Sequence, residues 1–313
     1  MKPFLPFLLA SAPLALAPAA VIAGNSETEP NDTKAQANVF SLPVASAPAF
    51  ITGNSTGSVG SGLDYYRLTT AEQVTAAFYR HRLIIQSATP GHTGTLRGLT
   101  QLNGVIDPTS DVDFQVSSPT TVPARFVQWY TSQVPAEIYV RIAGTGATTS
   151  DYTLDYEVQP VTELFGPQLF PGDITIATVG QTTVDTELWL YDATRTAIPD
   201  WGNDDEFNGP TLQSSLTRSY STQALTFYVA VSSYSTANNL PSPADDDFRN
   251  GNVLDFQRVI ANNVTTTNED VDLLFTDSAG PHPVSATKVG PFDVVFVQYT
   301  VSVPVELMDF GVE

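Results

Sequence analysis

Acidic side chains close to the start of the chain are the first residues whose types and spacing could do chemistry. Glu27, Glu29 and Asp32 place three carboxylates within six residues. Carboxylate oxygens are the ligands that calcium prefers, and the ion accepts roughly six to eight oxygens. An acidic run of this kind is more often a solvated surface segment. The spacing by itself therefore favours a solvated segment and leaves a calcium site as the alternative.

A second acidic turn follows much later in the chain, at Asn203, Asp204 and Asp205. Counted from Asp204 as the first position, the spacing matches the first half of an EF-hand loop. Ser215 then occupies the twelfth position, where that loop needs a bidentate Glu, and no flanking helices are indicated. An EF-hand is therefore excluded. Two interpretations stay open: a looser and weaker calcium site at these three residues, or a plain Asp/Asn/Gly hairpin turn.

Aromatic side chains offer a third kind of chemistry, because their faces stack on sugars and on other surfaces. Trp201 lies in a turn beside the second acidic run. It is the tryptophan expected to be exposed, and therefore a candidate ligand-binding residue. Trp129 and Trp189 lie in expected strands and are predicted to be buried. Carboxylates for glycoside hydrolysis are plentiful, yet the sequence singles out no pair of them.

No residues are assigned to catalysis. The chain has no cysteine and three histidines, none of which has a second histidine at metal-ligand spacing. Gly53–Gly57 matches G-x-S-x-G by letter, but a glycine- and serine-rich run follows where a nucleophile elbow requires a helix. The sequence therefore predicts a protein that is not an enzyme.

The composition limits the partners. Of 313 residues, 33 are acidic and 13 are Lys or Arg, which gives a formal net charge of −20. Such a surface repels phosphate backbones and anionic headgroups, so nucleic acids and membrane surfaces are disfavoured as partners. The absence of cysteine fits a bacterial exported protein that its hydrophobic core stabilises in place of disulfides.

Residues 1–23 have the pattern of a cleaved signal peptide. Lys2 provides the positive charge, Phe4–Ala19 is mostly Leu, Ala, Phe and Pro, and Ala23 ends a small-residue cleavage site. A membrane anchor is the alternative, but three prolines interrupt the apolar run, whereas a spanning helix needs about 20 apolar residues. The expected location is secreted, either extracellular or at the bacterial cell surface, with no membrane insertion of the mature chain.

After Gly24, short runs rich in Val, Ile, Tyr, Phe and Thr alternate with clusters of turn residues, which predicts an all-β protein. Thr70–Tyr79 is the one modest helical candidate. Phe292–Ser302 is largely apolar on both alternating faces, which predicts a strand buried on two sides. We expect two tandem jelly-roll-like β-sandwich domains, 24–160 and 161–313, with residues 262–313 either part of the second domain or a smaller appendage.

The N-terminal half contains four short segments that occur together in a known class of exported module. In chain order they are Ser26–Thr33, Asp64-Tyr65-Tyr66, Tyr139-Val140 and Tyr152-Thr153-Leu154. On these segments the N-terminal half resembles the bacterial pre-peptidase C-terminal domain, in which an opening motif is followed about 30 residues later by the start of a core strand.

The C-terminal half resembles related sandwich modules of secreted bacterial proteins. The segments that carry this similarity are Asp185–Asp192, Asn203–Asp205, Ser214–Leu216 and Phe227–Ser232. Together the two similarities cover residues 26–235.

The resemblance implies a jelly-roll-like sandwich that serves as a non-catalytic accessory module, and some relatives bind collagen or polysaccharide. In the collagen-binding branch the opening motif ligates calcium. Those relatives carry further acidic residues where this chain has Gly60-Ser61-Gly62, so fewer ligands are implied than a two-ion site has. Carried over residue by residue, the ligands would be Glu27, Glu29, Asn31, Asp32 and Asp64.

These observations together predict an exported, non-catalytic, calcium-stabilised protein that acts as a cell-surface or extracellular binding or structural module. Its partner would be an extracellular polysaccharide or a protein surface. The alternative is a secreted hydrolase that acts on polysaccharide with dispersed Asp and Glu residues. Two facing carboxylates in a groove beside an exposed Trp201 would favour that alternative.

Overall fold

The computed structural model describes residues 23–45, 47–54, 62–87, 91–99, 101–102, 105–106, 113–118, 125–144, 151–205, 211–221, 224–237 and 258–302. The expected signal peptide, apart from Ala23, lies outside these residues. Within them the chain is all-β, as predicted, and holds one short 3₁₀ helix at Lys34–Gln36. None of the described segments is a helix long and apolar enough to cross a membrane.

The strands of the first half are short and separated by turns. In chain order they are β1 Ala23–Ser26, β2 Asn38–Leu42, β3 Ala49–Asn54, β4 Leu63–Thr70, β5 Tyr79–Ser87, β6 Thr93–Arg97, β7 Gln101–Leu102, β8 Val105–Ile106, β9 Asp113–Val116, β10 Arg125–Thr131, β11 Glu137–Ala143 and β12 Asp151–Pro160.

The second half continues the same pattern. Its strands are β13 Leu164–Leu169, β14 Gly172–Ala177, β15 Thr186–Tyr191, β16 Ala197–Asn203, β17 Ser215–Tyr220, β18 Leu225–Ser233, β19 Thr236–Ala237, β20 Val259–Asn262, β21 Glu269–Asp270, β22 Leu273–Asp277, β23 Gly280–Val284, β24 Thr287–Lys288 and β25 Val295–Val301.

The segment Thr70–Tyr79 is not helical, so that prediction was wrong. Its two ends belong to β4 and β5, and between them residues 74–77 form bends. Gln73 explains this conformation. Its backbone amide donates to the carbonyl of Gln133 at 2.8 Å, and its side-chain oxygen accepts the amide of Ala45 at 3.0 Å. These long-range hydrogen bonds take the place of the local ones that a helix would make.

The first sandwich is built from two facing sheets. One has the strand order β1-β3-β12-β5-β10-β20-β19 and the other β2-β4-β11-β6-β9. Alternation along the strands sends one set of side chains inward, for example Leu83 and Ile85 of β5, while Arg80 and Arg82 point outward. Side chains from both sheets meet in one apolar core that includes Trp129. The predicted burial of Trp129 is confirmed.

The second sandwich has the sheets β13-β25-β18-β15-β16 and β17-β14-β22-β23. Its core joins Leu188 and Leu190 of β15 to Ile176 of β14 and Phe275 of β22. Residues after position 262 thus supply strands to both sheets of this sandwich.

A third apolar cluster lies between the two sandwiches. Trp189, Tyr228 and Phe296 turn away from the second core and pack with Phe78 and Tyr130 of the first sandwich. The predicted burial of Trp189 is confirmed, and β25 is buried on two faces because its residues alternate between the second core and this junction. Strand β20 pairs with β10, so a strand from the second half of the chain extends a sheet of the first sandwich.

Candidate metal centre

Strand pairing brings the opening motif against the end of the first sandwich. β1 runs parallel to β3 with Ser26 opposite Thr52, and the amide of Glu27 donates to the carbonyl of Thr52 at 3.0 Å. Glu27 therefore lies beside Gly53. On the other side of β3, Gly53 is paired with Tyr152 of β12.

The facing sheet contributes Asp64, the second residue of β4. Asp64 and Tyr66 share one face of that strand, and both are fully buried. The amide of Tyr65 donates to the carbonyl of Asn31 at 2.9 Å, which fastens the opening motif to β4. Carboxylate oxygens of Glu27, Glu29 and Asp64 lie within 4.8 Å of one another. We call these three residues and the adjoining Asn31 the N-terminal acidic cluster.

Two tyrosine hydroxyls link the carboxylates inside the sandwich. Tyr152 donates to Asp64 Oδ2 at 2.6 Å, and Tyr66 donates to Glu27 Oε2 at 2.7 Å. The two hydroxyls also contact each other. The second oxygen of Glu27 accepts the backbone amide of Asn54. These donors fix one oxygen of Asp64 and both oxygens of Glu27 in place.

Two oxygens of the cluster are buried without any hydrogen-bond donor. They are Asp64 Oδ1 and Asn31 Oδ1, and both residues are 0% exposed. A buried acceptor without a partner costs free energy, about 1–3 kcal/mol for a neutral group and more for a charged one. A bound cation would supply the missing partner to both atoms. The sequence alone gave no sign of this feature.

Burial and like charge together raise the pKa of Asp64 to about 7. Burial is the largest cause, the hydrogen bond from Tyr152 opposes it, and the charges of Glu27, Glu29 and Asp32 add to it. Asp32 thus acts on the cluster electrostatically, although its carboxylate is not in the group that lies within 4.8 Å. The arrangement disfavours an ionised Asp64 unless a positive charge is nearby.

The close approach of the backbone at Gly53 completes the site. A Cβ atom at this position would lie 2.6 Å from Glu27 Oε2 and would collide with the ring of Tyr152. Because residue 53 is a glycine, the Glu27 carboxylate and the Tyr152 ring can pack directly against the backbone of β3.

The second acidic turn forms a different cluster from the one predicted. Carboxylate oxygens of Asp204 and Asp205 lie within 4.8 Å of Asp185, which sequence reasoning did not name as a ligand. β15 and β16 are antiparallel with Leu188 opposite Asn203, so Asp185 lies beside the chain that follows Asn203. Asp185 Oδ1 is buried without a hydrogen-bond partner, and burial together with the charge of Asp205 raises the pKa of Asp185 to about 6. We call these three residues the second acidic cluster.

Asn203 and Trp201 serve the packing of β16. Asn203 Oδ1 accepts the backbone amide of Ser215 at 2.6 Å, which joins β16 to the start of β17. Trp201 is partly buried against the second core, and its ring meets Tyr220 edge-on with the centroids 5.4 Å apart. The guanidinium of Arg218 lies over the Trp201 ring, 5.8 Å from its centroid. Trp201 therefore offers less free aromatic face than its position in the sequence predicts.

No protein-family model matches the chain, and no curated protein matches it in sequence. The resemblance to pre-peptidase C-terminal domains rests on the quoted motifs alone.

Proposed function

We propose that this chain is an exported, non-catalytic β-sandwich protein that acts outside the cell or at its surface as a binding or structural module and is stabilised by calcium. The observation that carries the proposal is the pair of buried oxygens, Asp64 Oδ1 and Asn31 Oδ1, that lack donors beside two further carboxylates. The resemblance to accessory modules of the pre-peptidase C-terminal class supports the same conclusion.

The donor set fits calcium. Every atom available is an oxygen from a carboxylate or an amide, which is what hard divalent cations prefer, and no sulfur or imidazole takes part. Glu27, Glu29, Asn31 and Asp64 would hold the ion, with Asp32 adding negative charge from nearby. When bound, calcium supplies positive charge that neutralises the carboxylates. The chain itself fixes the positions of the ligand oxygens. Glu27 follows β1 of one sheet, and Asp64 lies in β4 of the facing sheet.

The hydrolase alternative has weaker support. Glycosidases use two carboxyl groups about 5–9.5 Å apart across a groove that admits the substrate. Asp64 is fully buried and therefore closed to a substrate, and the carboxylates of the second acidic cluster gather at one end of a hairpin and do not face each other across a groove that the structure describes. Assays of reducing-sugar release from a panel of polysaccharides would revive this alternative if they showed turnover that depends on Asp185 or Asp205.

Thermal unfolding with calcium and after chelation tests the proposal. At about 100 times its dissociation constant, an ion that binds only the folded state adds about 2.7 kcal/mol to the free energy of unfolding. We expect a calcium-dependent rise in Tm that Asp64→Asn and Glu29→Gln each abolish. Glu157→Gln is the matched control, because it removes one negative charge from an exposed position on β12, outside the cluster.

Two outcomes would contradict the calcium proposal. One is a Tm that does not respond to calcium in the unaltered protein, and the other is a response that survives in both cluster variants. The module function is tested separately by co-sedimentation with insoluble polysaccharides and with collagen fibres, where retention in the pellet is expected for one of these matrices.

A further inference from the structure

A cavity of about 220 Å³ lies at the junction of the two sandwiches. Both sandwiches and β20 contribute to its wall. Phe78 and Val134 come from turns of the first sandwich, Tyr191 and Ala197 from the β15–β16 hairpin, and Ile260 from β20. The remaining lining residues are polar or charged: Ser132, Arg195, Thr196 and Arg258. The cavity is separate from both acidic clusters.

The charge of this cavity is opposite to that of the molecule. The chain has 33 acidic residues against 13 Lys and Arg, yet among the residues that the structure describes two arginines and no acidic residue line the cavity. Arg195 is already neutralised, because its guanidinium makes two hydrogen bonds to Glu163, at 2.8 and 3.1 Å. Arg258 is exposed and makes no ion pair with any residue that the structure describes. One positive charge is therefore available at a mostly apolar cavity.

The backbone at both arginines is in an unfavourable conformation. Arg195 and Arg258 each have φ of 61°, in the left-handed region that residues with a side chain rarely adopt. Arg195 occupies the turn between β15 and β16, at a hairpin position where glycine would fit with less strain. Strained residues of this kind concentrate at binding sites, where the surrounding structure holds them. Two of them border this one cavity.

We propose that the junction cavity binds a small amphipathic carboxylate, with an aromatic or compact aliphatic body inside and the carboxylate on Arg258. The size agrees with a single ring, since an apolar cavity of about 150 Å³ holds benzene. Phe78, Tyr191 and Ile260 provide apolar contact for the body. The guanidinium of Arg258 provides charge-assisted hydrogen bonds to the anionic group. The proposal does not depend on calcium.

Isothermal titration calorimetry of the whole chain with phenylacetate tests this inference, in buffer containing a chelator so that the acidic clusters play no part. Two probes separate the ring from the charge: acetate keeps the carboxylate, and 2-phenylethanol keeps the ring. We expect phenylacetate to bind at least about tenfold more tightly than either, because only it uses both the cavity and Arg258.

Three variants locate the binding. Arg258→Gln should weaken phenylacetate about tenfold, while Arg80→Gln, which removes an arginine near the junction but outside this cavity, should leave the affinity unchanged. Ala197→Leu should fill the cavity and abolish binding, with its melting curve confirming that the protein is folded. The proposal is overturned if phenylacetate does not bind at millimolar concentration, if acetate binds as tightly, or if Arg258→Gln and folded Ala197→Leu both bind like the unaltered protein.

Discussion

The two acidic clusters each contain three carboxylates, but the elements that hold them differ. The N-terminal acidic cluster joins two sheets, since Glu27 follows the edge strand β1 and Asp64 begins β4 of the facing sheet. The second acidic cluster gathers at one end of a single hairpin, where Asp185 precedes β15 and Asp204 follows β16. Asp205 there is exposed, whereas Asp64 and Asn31 are fully buried.

The difference shows that the number of acids does not determine what a cation would do for the protein. A cation in the N-terminal acidic cluster would offset repulsion inside the sandwich and hold its two sheets together. A cation in the second acidic cluster would stabilise one hairpin end and would compete with water at Asp205. We therefore expect the first cluster to affect global stability and the second to affect it little.

The largest expected effect is the pH dependence of the calcium-free protein. The pKa of Asp64 is about 7 when folded, against 3.8 for an ordinary carboxyl, so the folded state binds the proton more tightly. The contribution of protonated Asp64 to stability is full below about pH 4 and is lost as the pH rises through 7. Each pKa unit corresponds to about 1.4 kcal/mol. Asp64→Asn should therefore stabilise the chelated protein at pH 8 and have little effect near pH 4.

Asp185 provides the comparison for that experiment. Its pKa of about 6 is less perturbed, so the stability gained from Asp185→Asn should be smaller and should be complete at a lower pH. Chemical denaturation of both variants between pH 4 and 8 measures the two profiles. Equal profiles would mean that Asp64 and Asp185 are buried alike, which would contradict the difference between the two clusters.

A smaller loss of stability is expected from Gly53→Ala. The new Cβ would push on Tyr152 and Glu27, and overpacking of this kind costs about 1–3 kcal/mol. The calcium-dependent rise in Tm should shrink as well, because Glu27 is displaced. Gly180→Ala is the control: it has φ of +74° but no atom within 4 Å, so it should strain the backbone without changing the calcium response. A full calcium response in Gly53→Ala would argue against Glu27 as a ligand.

Loss of one tyrosine hydroxyl should cost about 1–2 kcal/mol. Tyr152→Phe removes the donor to Asp64 Oδ2, while Tyr156→Phe, on the same strand, removes the hydrogen bond to His81 at 2.7 Å. Both variants should unfold at lower denaturant concentration. Calcium titrations should show altered affinity for Tyr152→Phe alone, and altered affinity for both would indicate a general loosening of β12.

The smallest expected change in stability comes from substituting Asn203. Asn203→Ala loses the hydrogen bond to the amide of Ser215 and should lower the free energy of unfolding by about 1 kcal/mol. Thermal unfolding should show the same decrease with calcium and with chelator. A decrease seen only with calcium would instead make Asn203 a ligand, as the sequence first indicated.

Much of the fold could be predicted from the sequence, because β-branched and aromatic residues at alternate positions define strands locally. β25, Val295–Val301, lies within the run Phe292–Ser302 that was predicted as a strand for this reason. The Thr70–Tyr79 prediction failed because Gln73 bonds to residues that are distant in sequence. The packing of Trp189 against Phe78 also depends on tertiary contacts that no local pattern contains.

The candidate site could be predicted only in part. Glu27 and Glu29 are visible as an acidic run, but their proximity to Asp64 came from a resemblance and not from spacing. Asp185 was missed because it is 19 residues from Asp204 along the chain and becomes its neighbour only through the pairing of β15 with β16. One sequence signal could have predicted that Asp185 lies near Asp204: both residues flank strands that could pair as a hairpin.

Strand β20 has a consequence for how this protein could be divided or recombined. It pairs with β10, and the carbonyl of Asn262 accepts a hydrogen bond from the side-chain amide of Gln115 at 2.5 Å. A fragment that stops after Pro160 would lose that strand, leave the edge of β10 bare and expose Tyr130 and Phe78 to water. Cleavage of the chain just after Pro160 would leave the two pieces held together without a covalent link. In evolution or in engineering, the first sandwich could be transferred to another protein only together with a strand from the second half.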